Sequence, residues 1–171
     1  MKTFLPLLLL ALFACSPDPA AEEGGTSTRG VANGEELAAL HASIVELEAR
    51  EEHDAKKVKV EHILISFRGA GTSATRTKDE AEAFAAALLG RVVAGEDFTA
   101  LKVEHTDDGP GGIYTMVSEG PGNRASLIFN RSGMVPAFGN TGWRLEVGQV
   151  GVAPYDPKKS QYGWHIVKRL E

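Results

Sequence analysis

Several things are scarce in this chain of 171 residues, and each shortage removes a class of explanation. Cys15 is its single cysteine, so no disulfide can form within the chain. Positive charge is not in excess. Lys and Arg number 18 against 23 Asp and Glu, a net charge of −5, which argues against a general nucleic-acid binder. No apolar run approaches the roughly 20 residues that cross a bilayer as a helix; the longest nearly unbroken one is residues 4–14. Glycine is plentiful at 19 residues, but it follows no collagen-like period, and no internal repeat is evident. His41, His53 and His105 lack metal-ligand spacing and read as solvated surface. What is present, 43% hydrophobic and 24% charged residues, suits one ordinary core.

Residues 1–14 read as an address rather than as structure. Lys2 supplies a positive start, the apolar run follows, and Leu12-Phe13-Ala14-Cys15 closes it. That ending resembles the lipobox of bacterial lipoprotein signal peptides, with an aliphatic residue three before the cysteine and a small one directly before it. The resemblance implies that Cys15 is lipidated and anchors an extracytoplasmic protein to a membrane of the cell envelope. Ser16 in place of an acidic residue points to the periplasmic side of an outer membrane. An ordinary secretory signal, with Cys15 discarded, is the other reading of the segment. Residues 15–34 are rich in Ala, Glu, Gly, Ser, Thr and Pro, a composition expected of a flexible tether.

An N-terminal helical segment is expected over residues 35–56, with its helix over 35–53. There Leu37, Leu40, Ile44 and Leu47 follow 3-4-3 spacing. The stripe is narrow, like a coiled-coil seam; it would serve either a weak homodimer or packing onto the domain that follows. That domain runs over residues 57–171. Val58, Val60, His62 and Leu64 share one face of a strand over 57–67. After a loop over 68–76, Thr77 and Glu80 form a capping box for an amphipathic helix buried through Ala81, Phe84, Ala85, Leu88, Leu89 and Val92 and stopped by Gly95. Asp97 caps a shorter helix to about residue 105. A strand is expected over 113–117, irregular chain over 118–132, a short helix over 134–138 with Pro136 in its first turn, and a last strand over 162–170. This order is α+β rather than an alternating parallel sheet.

Five segments in this order carry a resemblance. They are Val60-Glu61-His62-Ile63-Leu64-Ile65, Gly95-Glu96-Asp97-Phe98, Arg131-Ser132-Gly133-Met134-Val135-Pro136-Ala137-Phe138, Leu145-Glu146-Val147-Gly148-Gln149-Val150 and Tyr162-Gly163-Trp164-His165-Ile166-Val167. Together the set resembles the parvulin peptidyl-prolyl cis/trans isomerases. The resemblance implies a four-stranded antiparallel sheet surrounded by helices. It implies that His62 and His165 are hydrogen-bonded side by side in the sheet, with Asp108 at the family's cysteine-or-aspartate position. The proline pocket falls on Met134 and Phe138, with Tyr114 and Trp143 as further substrate-binding walls. Its partners would be unfolded or extended proline-containing polypeptides, and no cofactor is called for.

The chemistry asks for little. Rotation about an X-Pro bond makes and breaks no covalent bond, so an apolar slot and a preorganised polar wall suffice. Gly111-Gly112 continue as Ile113-Tyr114 where active relatives carry an acidic residue and another glycine, which opens a second reading as a non-catalytic peptide-binding chaperone. Each site residue also has a structural alternative. The histidines could merely fix the sheet, Asp107 and Asp108 could form a turn, and Met134 and Phe138 could be plain core. Arg68 and Arg76 are too scattered for a phosphate site and are expected in solvent.

Overall fold

The structure, a computed structural model, describes residues 32–171. Cys15, the apolar run and all but the last residues of the expected tether lie outside the described residues.

A strand so rich in β-branched residues as β1 (Lys57–Ile65) is suited to the middle of a sheet, and it lies there. β1 pairs antiparallel with β2 (Ile113–Val117) on one side and with β5 (Trp164–Arg169) on the other. β4 (Val150–Ala153) closes the far edge antiparallel to β5. The fold is α+β, with one strand more than the four expected. β3 (Ile128–Asn130) lies parallel to β2 within the stretch expected to be irregular, and three residues are too short to show a period of two. The sheet order is β3-β2-β1-β5-β4.

Alternation along β1 feeds two cores, one on each face of the sheet. Ile63 and Ile65 join α1 (Gly34–Glu48), α2 (Lys78–Val93) and α3 (Phe98–His105) through Leu40, Leu88 and Leu101. Val58 and Val60 join the opposite core with Met116, Phe138 and Trp143, the last two on α4 (Pro136–Arg144). The capping box at Thr77 and the Asp97 cap both form as expected.

Two helices differ from expectation. α1 starts at an unforeseen capping box, Asn33 with Glu36, and stops at Glu48 rather than at 53. Beyond it the chain is drawn onto α4, where His53 N donates to Trp143 O at 2.8 Å and Ala55 O accepts from Trp143 Nε1 at 2.7 Å. α4 in turn runs well past 138. It passes through Gly139 and Gly142, and Gly142 serves close packing: an added Cβ would lie 3.1 Å from Val60 Cγ1 and 3.2 Å from Met116 Cε.

Both edges of the sheet are managed. α1 packs along β4, with Leu47 reaching Gly151. Beside β3, Asn123 bridges to Ile128, whose N–H donates to Asn123 O at 2.9 Å. Leu40, Ile44 and Leu47 are buried against the domain itself, so the stripe offered as a dimer seam is occupied within the chain. Among the described residues, no helix is long and apolar enough to cross a membrane.

Candidate functional site

His62 points from β1 toward the α4 side, and His165 reaches the same side from β5. Their Nδ1 atoms stand 3.1 Å apart, with the rings 15° from parallel. His62 Nε2 lies 2.9 Å from Asp108 Oδ2, and the Tyr114 hydroxyl donates to the same oxygen at 3.0 Å. Asp108 is set on the loop after α3. The Thr106 hydroxyl accepts from Asp108 N, and Asp108 Oδ1 accepts from Gly109 N, a local pattern typical of Asp in turns. Asp108 thus forms the turn and lies against His62 at once.

Charge fixes the protons. The hydrogen bond from His62 is the main cause holding the Asp108 carboxyl down at about 2, against the desolvation that opposes it. Burial, and then the Asp108 charge, push the Tyr114 phenol up to about 12, so it stays a donor. An ionised Asp108 only accepts, so His62 carries its proton on Nε2. One of the two facing Nδ1 atoms carries the hydrogen that joins His62 to His165. His165 Nε2 is a buried ring nitrogen without a partner among the described residues. Burial is the main reason its pKa is held far below the ordinary value, so it is neutral at neutral pH. The row of groups reads as one chain ending in an unpartnered ring nitrogen.

Apolar side chains complete the site. Phe138 packs its ring 4.9 Å from His62 and 5.7 Å from Tyr114, centroid to centroid. Phe138, Met134 and Val135 form one wall of a cavity of about 260 Å³, and His62, Asp108 and His165 form another. Six of the seven expected site residues therefore meet here: His62, Asp108, Tyr114, Met134, Phe138 and His165.

Trp143 does not meet them. It is 2% exposed, its Nε1 is bonded to Ala55 O, and the Arg131 guanidinium lies 4.5 Å from its ring centre. Five residues along a helix rotate a side chain by about 140°, which turns Trp143 away from the wall that Phe138 builds. Thr72, Gly71 and Tyr162 line the cavity but were not foreseen. The first two sit in a loop without periodicity; Tyr162 opened a segment noted only for its histidine.

Two further expectations are corrected. Arg76 is only partly exposed. It donates to Ser66 O at 2.9 Å, pairs with Asp107 and lies over the Phe84 ring, while Arg68 is exposed. His105 is partly buried, 2.8 Å from an Arg91 guanidinium nitrogen and edge-on to Phe84. His41 is exposed beside Glu82, as expected. Among the described residues, no group of three or more His, Cys, Asp or Glu side chains is placed to hold a metal ion.

Comparison with known proteins follows the same outline. A family model described as the PPIC-type PPIASE domain matches residues 42–171. Chaperone SurA of Chromohalobacter salexigens is 32% identical over 111 residues, 64% of this chain and 21% of that one. Chaperone SurA of Pseudomonas fluorescens is 32% identical over 114 residues, 67% of this chain and 23% of that one. The chain thus spans about a fifth of the length of these curated relatives. Peptidyl-prolyl isomerase ESS1 from Candida albicans superposes with a TM-score of 0.52 at 22% identity, covering 79% of this chain and 75% of that one. The solution structure of TbPIN1 also gives 0.52, at 20% identity, over 68% of this chain and 99% of that one. At these identities the two superpositions speak for the fold.

Proposed function

The chain belongs to the PPIC-type PPIase family, the parvulins, and on that premise we propose that it turns over X-Pro bonds in extended polypeptides as a foldase of the cell envelope. The observation that carries this reading is the meeting, in one cavity, of an apolar wall of Met134, Val135 and Phe138 with the chain Asp108–His62–His165. A pyrrolidine ring fits an apolar slot, since aromatic and thioether side chains cover area at low entropic cost.

The barrier to be lowered is about 18–20 kcal/mol, because the twisted amide loses its conjugation. As the carbonyl before proline swings out of plane, its charge distribution changes against a fixed polar wall screened from water. Hydrogen bonds that suit the twisted amide better than the planar one lower the barrier. No nucleophile is needed. Asp108 already accepts from His62 and Tyr114 through one oxygen, and from Gly109 N through the other, so its role is to polarise the histidines.

The envelope location rests on the sequence of residues 1–15, whose apolar run and Cys15 fit a lipid anchor. A labelling experiment with radioactive palmitate decides it, since incorporation must vanish in Cys15→Ser. A second reading, a peptide-binding chaperone without turnover, is favoured by the double capping of Asp108 Oδ2 and by the likeness to Chaperone SurA. Exchange NMR on a panel of X-Pro peptides separates the two. Cross-peaks between cis and trans forms at catalytic protein concentrations, lost in Phe138→Ala, support the isomerase. Peptide shifts without faster exchange sink it in favour of the chaperone.

A further inference from the structure

The face of β1 opposite the cavity holds a second polar assembly, none of whose side chains lines that cavity. Glu61 precedes His62 and points to the α3 side, where its Oε1 lies 2.8 Å from Lys102 Nζ. Both are buried, at 4% and 8% exposure. The Thr99 hydroxyl lies within 3.1 Å and 3.2 Å of the two carboxylate oxygens. A buried ion pair gives little net stability, because desolvation offsets the Coulomb gain. What it holds in place is therefore the more informative question.

Lys102 Nζ has a further acceptor. It donates to Gly111 O at 2.8 Å, which ties the loop over residues 109–112 to α3. That loop is the link between Asp108 and Tyr114, the two side chains that meet on one carboxylate oxygen beside His62. Its other side is held by β1, since His62 N donates to Gly112 O at 2.8 Å. Gly112 adopts φ +63, and an added Cβ would stand 3.0 Å from both His62 O and Lys102 Cδ. The loop is thus gripped between the backbone of His62 and the stem of Lys102.

We propose that Lys102 is a positioning residue: by holding the Gly111 carbonyl, it sets the approach of Asp108 and Tyr114 to His62 Nε2. The activity arm of this inference rests on the isomerase reading; its structural arm does not.

Three variants of the full chain separate this role from plain stabilisation: Glu61→Gln, Lys102→Met and the double replacement. Either single change leaves one buried group without its charged partner, so both should lower the melting temperature. The double change removes both charges and should recover much of it. Only loss of Lys102 frees Gly111. Isomerisation followed by exchange NMR should therefore stay within about twofold of the parent in Glu61→Gln and fall about tenfold in both Lys102 variants, a difference of roughly 1.4 kcal/mol in the barrier. The ¹⁵N and ¹H signals of the His62 imidazole, read without peptide, should move in both Lys102 variants and hold in Glu61→Gln. The double variant keeps the test alive if Lys102→Met does not fold. A double variant with parental rate and parental imidazole signals would overturn the proposal. Should the parent itself show no isomerisation, the isomerase reading fails, and the imidazole signals alone decide the clamp.

Discussion

Glu61 and His62 are adjacent in sequence and both nearly buried, yet β1 turns them to opposite faces, where their polar atoms are satisfied in different ways. On the α3 face, Glu61 finds Lys102 and Thr99, and the assembly closes on itself with each charge met. On the α4 face, the chain from Asp108 through His62 stops at His165 Nε2, which has no partner among the described residues, and a cavity opens beside it. The same strand therefore carries a closed polar site and an open one. Buried polar groups are nearly always bonded, so the open one is where a ligand is to be sought.

Phe138→Ala should break the open side hardest. Loss of the slot is expected to cut the isomerisation rate about a hundredfold, roughly 2.7 kcal/mol of transition-state binding. Removing a core phenylalanine also costs about 3–5 kcal/mol of stability, measurable by urea titration. An unchanged rate in a folded variant would mean that the cavity is not the proline slot.

The next effect is one of pH. His165 is neutral when folded, and its folded pKa lies below the ordinary value near 6.5. The unfolded chain therefore binds the extra proton first, and stability must fall as pH drops through that value. For one such group the slope is about 1.4 kcal/mol per pH unit. Urea midpoints at pH 7 and pH 5 should show this loss in the parent and a smaller one in His165→Leu; equal losses would place the acid sensitivity elsewhere.

Asp108 acts in the same direction, in a lower pH window. Its folded pKa of about 2 is below the ordinary carboxyl value, so it stabilises above the latter and ceases to do so between about pH 4 and 2. With the side chain close to one-third exposed, solvent screening leaves roughly 1–2 kcal/mol for Asp108→Asn to remove at pH 7. The smallest change is Tyr114→Phe. It deletes one hydrogen bond to a carboxylate that keeps two others, at a cost of about 0.5–1.5 kcal/mol. Faster exchange in this variant would show that the phenol restrains the open site; slower exchange would make it part of the polar wall.

Much of this was legible in the sequence, and the failures share a cause. The capped helices α2 and α3 and the strands β1, β2 and β5 announce themselves through caps and alternation, which are local signals. The meeting of His62 with Asp108 and His165 came from resemblance, because no local rule brings together residues 46 and 103 positions apart. β3 escapes local rules because its partner β2 supplies the pairing, and α4 continues past Phe138 with Gly142 packed on Val60 and Met116. Trp143 enters the expected site by resemblance, and its position around the α4 axis takes it out again. Arg76 was left in solvent because its partner Asp107 lies 31 residues away.

The treatment of the sheet edges matters for a protein whose proposed partners are unfolded. An open edge would offer unpaired N–H and C=O groups to any extended chain, and a client captured there would aggregate with its helper instead of passing through. With α1 laid along β4, and with β3 only three residues long beside the Asn123 bridge, the sheet offers little template for such pairing. A client chain is left to engage by side chains at the cavity, a contact that can be released after each encounter.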